Sequence, residues 1–147
     1  MLPCAAMQKT ELVAFIGAQK WAVEATVAAD GGPQAAVIGV AVTDDLEIVF
    51  DTGTRARKAE NLRRTKRMAL VVGWDEGRTV QLEGAVDEVA RESADHARLL
   101  AVYVAKFPDG AARAADPDIA FFRLRPSWGK YSDFRGGAPT IEELRFG

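Results

Sequence analysis

Between residues 55 and 67 the sequence places Arg55, Arg57, Lys58, Arg63, Arg64, Lys66 and Arg67 against one carboxylate, Glu60. That is a local charge of +6 in a chain of formal net charge −2, which leaves −8 on everything else. A concentrated positive segment on an acidic body suits one compact anion better than a long polyanion. The stretch Phe50-Asp51-Thr52-Gly53-Thr54 predicts a strand ending at Thr52 and a glycine-containing loop, followed by a helix over 56–64. Arg57 and Lys58 then fall in the first helical turn, where free N–H groups and the helix dipole favour an anion. Arg57 would add a planar fork of donors and Lys58 a mobile ammonium, a pair suited to a terminal phosphate. Thr52 or Thr54 would lend a hydroxyl. The same residues also describe a solvated basic helix with Leu62 on its core side, and the residues alone leave both readings open. A nucleic-acid module ranks below both, because the cations are not interleaved with aromatics.

Other chemistry-bearing types are sparse. His96 is the one histidine, and on a predicted helix it reads as an exposed polar residue rather than a base. One histidine and one cysteine, Cys4, supply neither a zinc site nor a Ser-His-Asp triad. Cys4 has no internal disulfide partner, which is compatible with a reducing compartment. The leading stretch MLPCAAM lacks the basic and apolar regions of a secretory signal, and no apolar run approaches bilayer length. The expectation is a cytoplasmic protein. Trp21 and Trp74 read as core or interface residues, Trp128 as packing or ring contact, and Glu83 as an interface ion pair.

The elements that must position the basic segment follow from periodicity. At 147 residues, 48% of them apolar, the chain is long enough for one domain with one core. Residues 9–19 predict a helix, with Thr10 as N-cap and Glu11 in its first turn. Trp21, Val23, Ala25 and Val27 alternate with Ala22, Glu24 and Thr26 as a strand, and Asp30-Gly31-Gly32-Pro33 is a turn. Residues 34–42, apolar on both faces, predict a strand buried on both sides. Further strands are expected over 46–51, 68–74 and 78–89, the last with Val80, Leu82, Gly84 and Val86 on one face. Residues 92–107 predict a helix with Ala97, Leu100, Val104 and Phe107 facing the core. An Ala/Asp-rich loop then leads to a final strand over 119–131, bent at Pro126, and an extension after Arg135. The β–β turns are too short for parallel crossovers, so six strands describe a small antiparallel barrel. A barrel that narrow is filled by side chains, and a large cofactor must lie on its surface or in a subunit interface.

The order Thr52, loop, Ala56-Arg57-Lys58-Ala59-Glu60-Asn61-Leu62 resembles the phosphate-binding segment of the pyridoxamine 5′-phosphate oxidase-like FMN-binding family. Upstream, Asp30 to Ala36 is similar to that family's first hairpin. Downstream, Val80-Gln81-Leu82-Glu83-Gly84 and Trp128-Gly129-Lys130-Tyr131-Ser132-Asp133-Phe134 resemble its long strand and C-terminal segment. The resemblance implies an α+β fold, a six-stranded antiparallel split β-barrel of Greek-key type, working as a homodimer. It implies FMN as cofactor, with Arg57 and Lys58 on its phosphate and Thr52 assisting. Val37, Ile38, Gly39 and Val40 would then follow the isoalloxazine edge through backbone groups. Thr79 and Gln81 would reach the ring or ribityl chain, and Trp128 would close the pocket from the partner subunit. The vitamin-processing oxidases carry Arg and Lys where this chain has Ala36 and Ala41, and their Arg-Leu-x-Pro ending is replaced by Leu144-Arg145-Phe146-Gly147. Pyridoxamine phosphate is therefore not the expected substrate.

The function implied is a flavin-dependent oxidoreductase acting by hydride transfer at flavin N5 on a small-molecule substrate or electron donor. Such an enzyme needs no acid–base pair of its own, because the cofactor carries the hydride. Two alternatives share the barrel: a reductase using a deazaflavin, and a non-enzymatic flavin carrier or redox sensor.

Overall fold

The computed structural model describes residues 6–147, so Cys4 and most of the leading stretch lie outside the described residues. Helix α1 (Lys9–Gly17) leads into β1 (Trp21–Val27), β2 (Pro33–Gly39), β3 (Ala41–Val42) and β4 (Ile48–Gly53). Helix α2 (Arg57–Thr65), β5 (Arg67–Val72) and β6 (Arg78–Glu88) follow, then helices α3 (Ala94–Lys106) and α4 (Gly110–Ala114). The chain finishes with β7 (Ile119–Asp133) and β8 (Thr140–Arg145). Every pairing is antiparallel, in the order β2-β1-β5-β6-β7-β4-β3, with β8 added beside β7. The two ends of that order, β2 and β3, are separated in the chain by Val40 alone. The sheet therefore curls back on itself, giving a mainly antiparallel split β-barrel with short helices.

Six strands are predicted and eight are present among the described residues. The strand expected over 34–42 is broken at Val40, whose N–H turns to the Lys20 carbonyl at 3.3 Å. The extension after Arg135 pairs with β7 as β8, from Asp133↔Thr140 to Trp128↔Arg145. Nor is β2 buried on both sides. Ala35 and Val37 are exposed, Val37 at 61%, because nothing among the described residues covers the outer face of that strand. Trp21 and Trp74 are exposed as well rather than core.

Two helical expectations also shift. Gln8, not Thr10, occupies the N-cap position of α1. The buried residues of α3 are Leu99 and Tyr103, with Phe107 at its C-cap, while Ala97 is exposed. Aromatic contacts set that rotation: Tyr103 meets Phe121 edge-on at 5.5 Å and lies 5.0 Å from Phe107. The expected Ala/Asp-rich loop contains α4.

Inside the barrel, Leu12, Ile16, Val40, Ile48, Leu62, Leu70, Leu82 and Leu124 surround Phe50 and Phe122, which stack at 5.7 Å. Gly84 sits at a bulge between β6 and β7, near the predicted bend at Pro126. A Cβ at Gly84 would stand 2.1 Å from the Arg125 carbonyl oxygen, so the strands can approach only with glycine there. Outside the barrel, Arg123 is 6% exposed and gathers Glu47, Asp87 and Asp95 at 2.9–3.0 Å. Three carboxylates, from the β3–β4 connection, β6 and α3, thereby converge on one buried guanidinium.

Candidate functional site

The alternation of β1 runs opposite to an ordinary half-buried strand. Its apolar residues Trp21, Val23, Ala25 and Val27 face outward, whereas Glu24 and Thr26 face inward and are buried. Polar side chains on an inner face need partners, and α2 provides some of them. Asn61, itself buried, donates through Nδ2 to Thr26 Oγ1 at 3.0 Å and to Gln34 Oε1 at 2.8 Å. Its Oδ1 accepts from Arg64 at 2.9 Å, and Arg64 also reaches the Val27 carbonyl at 2.7 Å. Together with Ala59 and Leu62, these bonds seat α2 over the inner face of β1 and β2.

The first turn of that helix is left free to bind. No side chain caps it at Ala56. Arg57 and Lys58 form no salt bridge among the described residues, whereas Arg63 is held by Glu88 at 2.7 Å. Lys58 Nζ lies 3.5 Å from Thr52 Oγ1, which ties the helix start to the end of β4. Thr54, the alternative hydroxyl, is occupied: its Oγ1 accepts from Arg63 at 2.9 Å. Arg57 and Lys58 line a cavity of about 90 Å³ with Glu24, Thr26, Gln34, Ala35 and Ala36. That small space suits a group the size of phosphate. Here two cations and a helix start converge on a small polar cavity.

Glu24 was not singled out from the sequence. It is 2% exposed, and its Oε2 is buried without a hydrogen-bond partner. Burial pushes its carboxyl above the ordinary range, with Lys58 opposing. The alternation of β1 marks two faces, but which of them turns inward is decided by the sheet around it.

The remaining expected site residues divide between core and outer face. Ile38 and Val40 are core, Gly39 lies against the Phe107 ring, and Val37 points outward. Thr79 and Gln81 stand on β6 opposite Ser132 and Lys130. Trp128 pairs with Glu83, and its indole N–H donates to Glu143 Oε1 at 2.7 Å. Gln81 shares its face with Val71, Val23 and Val37, the face opposite Glu24. A single chain therefore does not bring Gln81 or Trp128 to the Arg57–Lys58 cavity.

A larger cavity of about 310 Å³ lies under α3 and α4, lined among others by Asp51, His96, Tyr103 and Phe121. His96 is half-buried there, edge-on to Phe121 at 5.9 Å, rather than exposed as expected. Asp51 accepts from the Tyr103 hydroxyl at 3.0 Å and from Arg113 at 2.8 Å. Asp51 and Tyr103 thus have partners within the protein.

A family profile described as pyridoxamine 5′-phosphate oxidase matches residues 8–133. The pyridoxine/pyridoxamine 5′-phosphate oxidase of Thermosynechococcus vestitus is 38% identical over 72 residues, covering 48% of this chain and 34% of that protein. The matched segment thus spans about a third of that relative's length. Among solved structures, a heme-storage protein from Vibrio cholerae superposes with a TM-score of 0.70 at 21% identity, over 79% of this chain and 87% of that one. A pyridoxamine 5′-phosphate oxidase-related, FMN-binding protein from Nostoc punctiforme gives 0.64 at 14% identity, covering 87% of each chain. At such identities the two structures share the fold alone.

Proposed function

This chain belongs to the pyridoxamine 5′-phosphate oxidase family, and from that premise we propose that it binds FMN and acts as a flavin-dependent oxidoreductase. The observation that carries the proposal is the pair Arg57–Lys58, without a salt bridge among the described residues, at an uncapped helix start and lining a phosphate-sized cavity. These residues fit the phosphate end of FMN: Arg57 and Lys58 supply charge, the first-turn amides supply donors, and Thr52 orients the ammonium. Among the described residues β2 pairs on one side only, so its second edge offers backbone groups to the polar rim of the ring along residues 37–39, whereas the Val40 N–H is taken by the Lys20 carbonyl. When bound, the flavin accepts or donates a hydride at N5. The protein's own part is to anchor the phosphate, orient the ring against β2 and exclude water.

The proposal includes a homodimer. The outer face of β2, β1 and β5 carries Val37, Val23 and Val71 in one cross-strand row and Ala35, Ala25 and Ala69 in the next. Small apolar side chains in a flat array are poorly suited to solvent and well suited to a second copy. That arrangement would let Trp128 and Gln81 of one chain approach the cofactor of the other.

The test is the absorbance spectrum of the purified protein, with mass spectrometry of whatever heating releases. Flavin bands and the mass of FMN are expected. A Soret band, or the mass of a deazaflavin, would overturn the cofactor assignment. Turnover then needs a reduced nicotinamide with oxygen, quinone and dye acceptors; a flavin-loaded protein inert to all of them is a carrier rather than an enzyme.

A further inference from the structure

We propose that Glu24 links phosphate binding at the start of α2 to the uptake of one proton, so that it meets the bound phosphate as a neutral hydrogen-bond donor. The inference rests on the FMN reading above and concerns how this chain completes that site.

Glu24 is almost wholly buried, its Oε2 has no partner, and its side chain lines the same small cavity as Arg57 and Lys58. The elements around it are few. From α2 come Arg57 and Lys58; from β1 comes Thr26; from β2 come Gln34, Ala35 and Ala36. Across β1 its register partners are Ala36 on β2 and Leu70 on β5. Among the described residues no second carboxylate and no histidine lines the cavity, and neither cation reaches Glu24 as a salt bridge. Asn61 already uses Thr26 Oγ1 and Gln34 Oε1 as acceptors.

Charge and hydrogen-bond chemistry then point one way. A phosphate monoester carries about −1.5 to −2 near neutral pH and presents only acceptor oxygens. An ionised Glu24 would set acceptor against acceptor and reduce the two cations to a single net charge. A proton taken from solvent onto the carboxyl removes the repulsion, restores two positive charges and supplies one more donor. No other bond is made or broken. Burial already favours the neutral form of this carboxyl, while Lys58 favours the charged one.

The experiment is isothermal titration of FMN into the cofactor-free wild type and Glu24→Gln. It is run between about pH 7 and 9 in phosphate-free buffers of differing ionisation enthalpy, with riboflavin as control ligand. Wild type should take up close to one proton per FMN on the alkaline side of Glu24's own titration, its Kd weakening there about tenfold per pH unit. Glu24→Gln keeps a donor without the charge, so it should bind FMN with little pH dependence and no uptake. Riboflavin should show no proton linkage in either protein. FMN binding to wild type without proton uptake would overturn the inference and leave the cofactor reading standing; so would an uptake that persists in Glu24→Gln. If neither protein binds FMN, the cofactor reading falls and the inference with it.

Discussion

Lys58 reaches from the first turn of α2 to within 3.5 Å of Thr52 Oγ1 at the end of β4. This long contact is one that a bound phosphate can share or displace. Charge-assisted hydrogen bonds contribute about 1.5–3 kcal/mol each. Lys58→Ala and Arg57→Ala should therefore each weaken FMN by about tenfold to a hundredfold, and the double variant by more. Riboflavin, which lacks the phosphate, should bind all of them alike. Quenching of flavin fluorescence on titration gives each affinity, and an unchanged FMN Kd in the double variant would remove the phosphate site.

Asn61 carries the seating of α2. Replacing it with alanine leaves Thr26 and Gln34 without their donor on a buried face, at a cost of about 1–3 kcal/mol. Asn61→Ala should lower the urea midpoint with little change in slope, since the surface exposed on unfolding is nearly the same. FMN affinity should fall as well, because the helix start that holds the phosphate is no longer fixed.

How much of this was legible beforehand differs from element to element. Helix α2 and its exposed Arg57 follow from local pattern, since a loop glycine, a charged turn and Leu62 define that helix without its surroundings. The buried face of α3 does not, because Ala97, Leu100 and Val104 are as apolar as the residues that are buried. The ring of Phe121, distant in sequence, decides the rotation together with Phe107 at the helix's own C-cap. Val40 gives no sign of a break in composition, since the break exists to close the barrel. Glu24 and Thr26 could have been recognised as inward only by knowing that β1's apolar side is left open, which is a property of the sheet.

One partly buried carboxylate, Glu47, and one buried carboxylate, Glu24, predict opposite responses to pH. Glu47 is held down at about 2, first by the Arg98 hydrogen bond and then by Arg123, against a desolvation that raises it. A depressed folded value means its contribution is present above the unfolded value near 4.5 and is lost as pH falls toward about 2. Glu24 is raised above 4.5, so its contribution is complete below that value and is lost as pH rises toward its folded value. Glu47→Gln should therefore flatten the acid limb of a stability–pH curve, and Glu24→Gln should stabilise the cofactor-free protein at pH 8. Chemical denaturation across pH measures both, and equal slopes in wild type and variants would contradict both assignments.

The outer face of the sheet offers a last test, independent of any cofactor. Val23 lies between Val37 on one side and Val71 on the other. If two copies meet there, Val37→Asp places a carboxylate in each half of an apolar contact, with no cation on that row until Lys130 beyond Gln81. Burying such an unpaired charge costs several kcal/mol, roughly the scale of a whole hydrogen-bonded network. In a single chain Val37 is exposed, so the substitution should leave the fold and its circular dichroism unchanged. Sedimentation velocity should show a dimer for wild type and a monomer for Val37→Asp. In the proposed dimer flavin binding should weaken with it, because only that contact would bring Trp128 and Gln81 of one chain toward the cofactor of the other. A wild type that sediments as a monomer at micromolar concentration removes the dimer and leaves β2's outer face without a role.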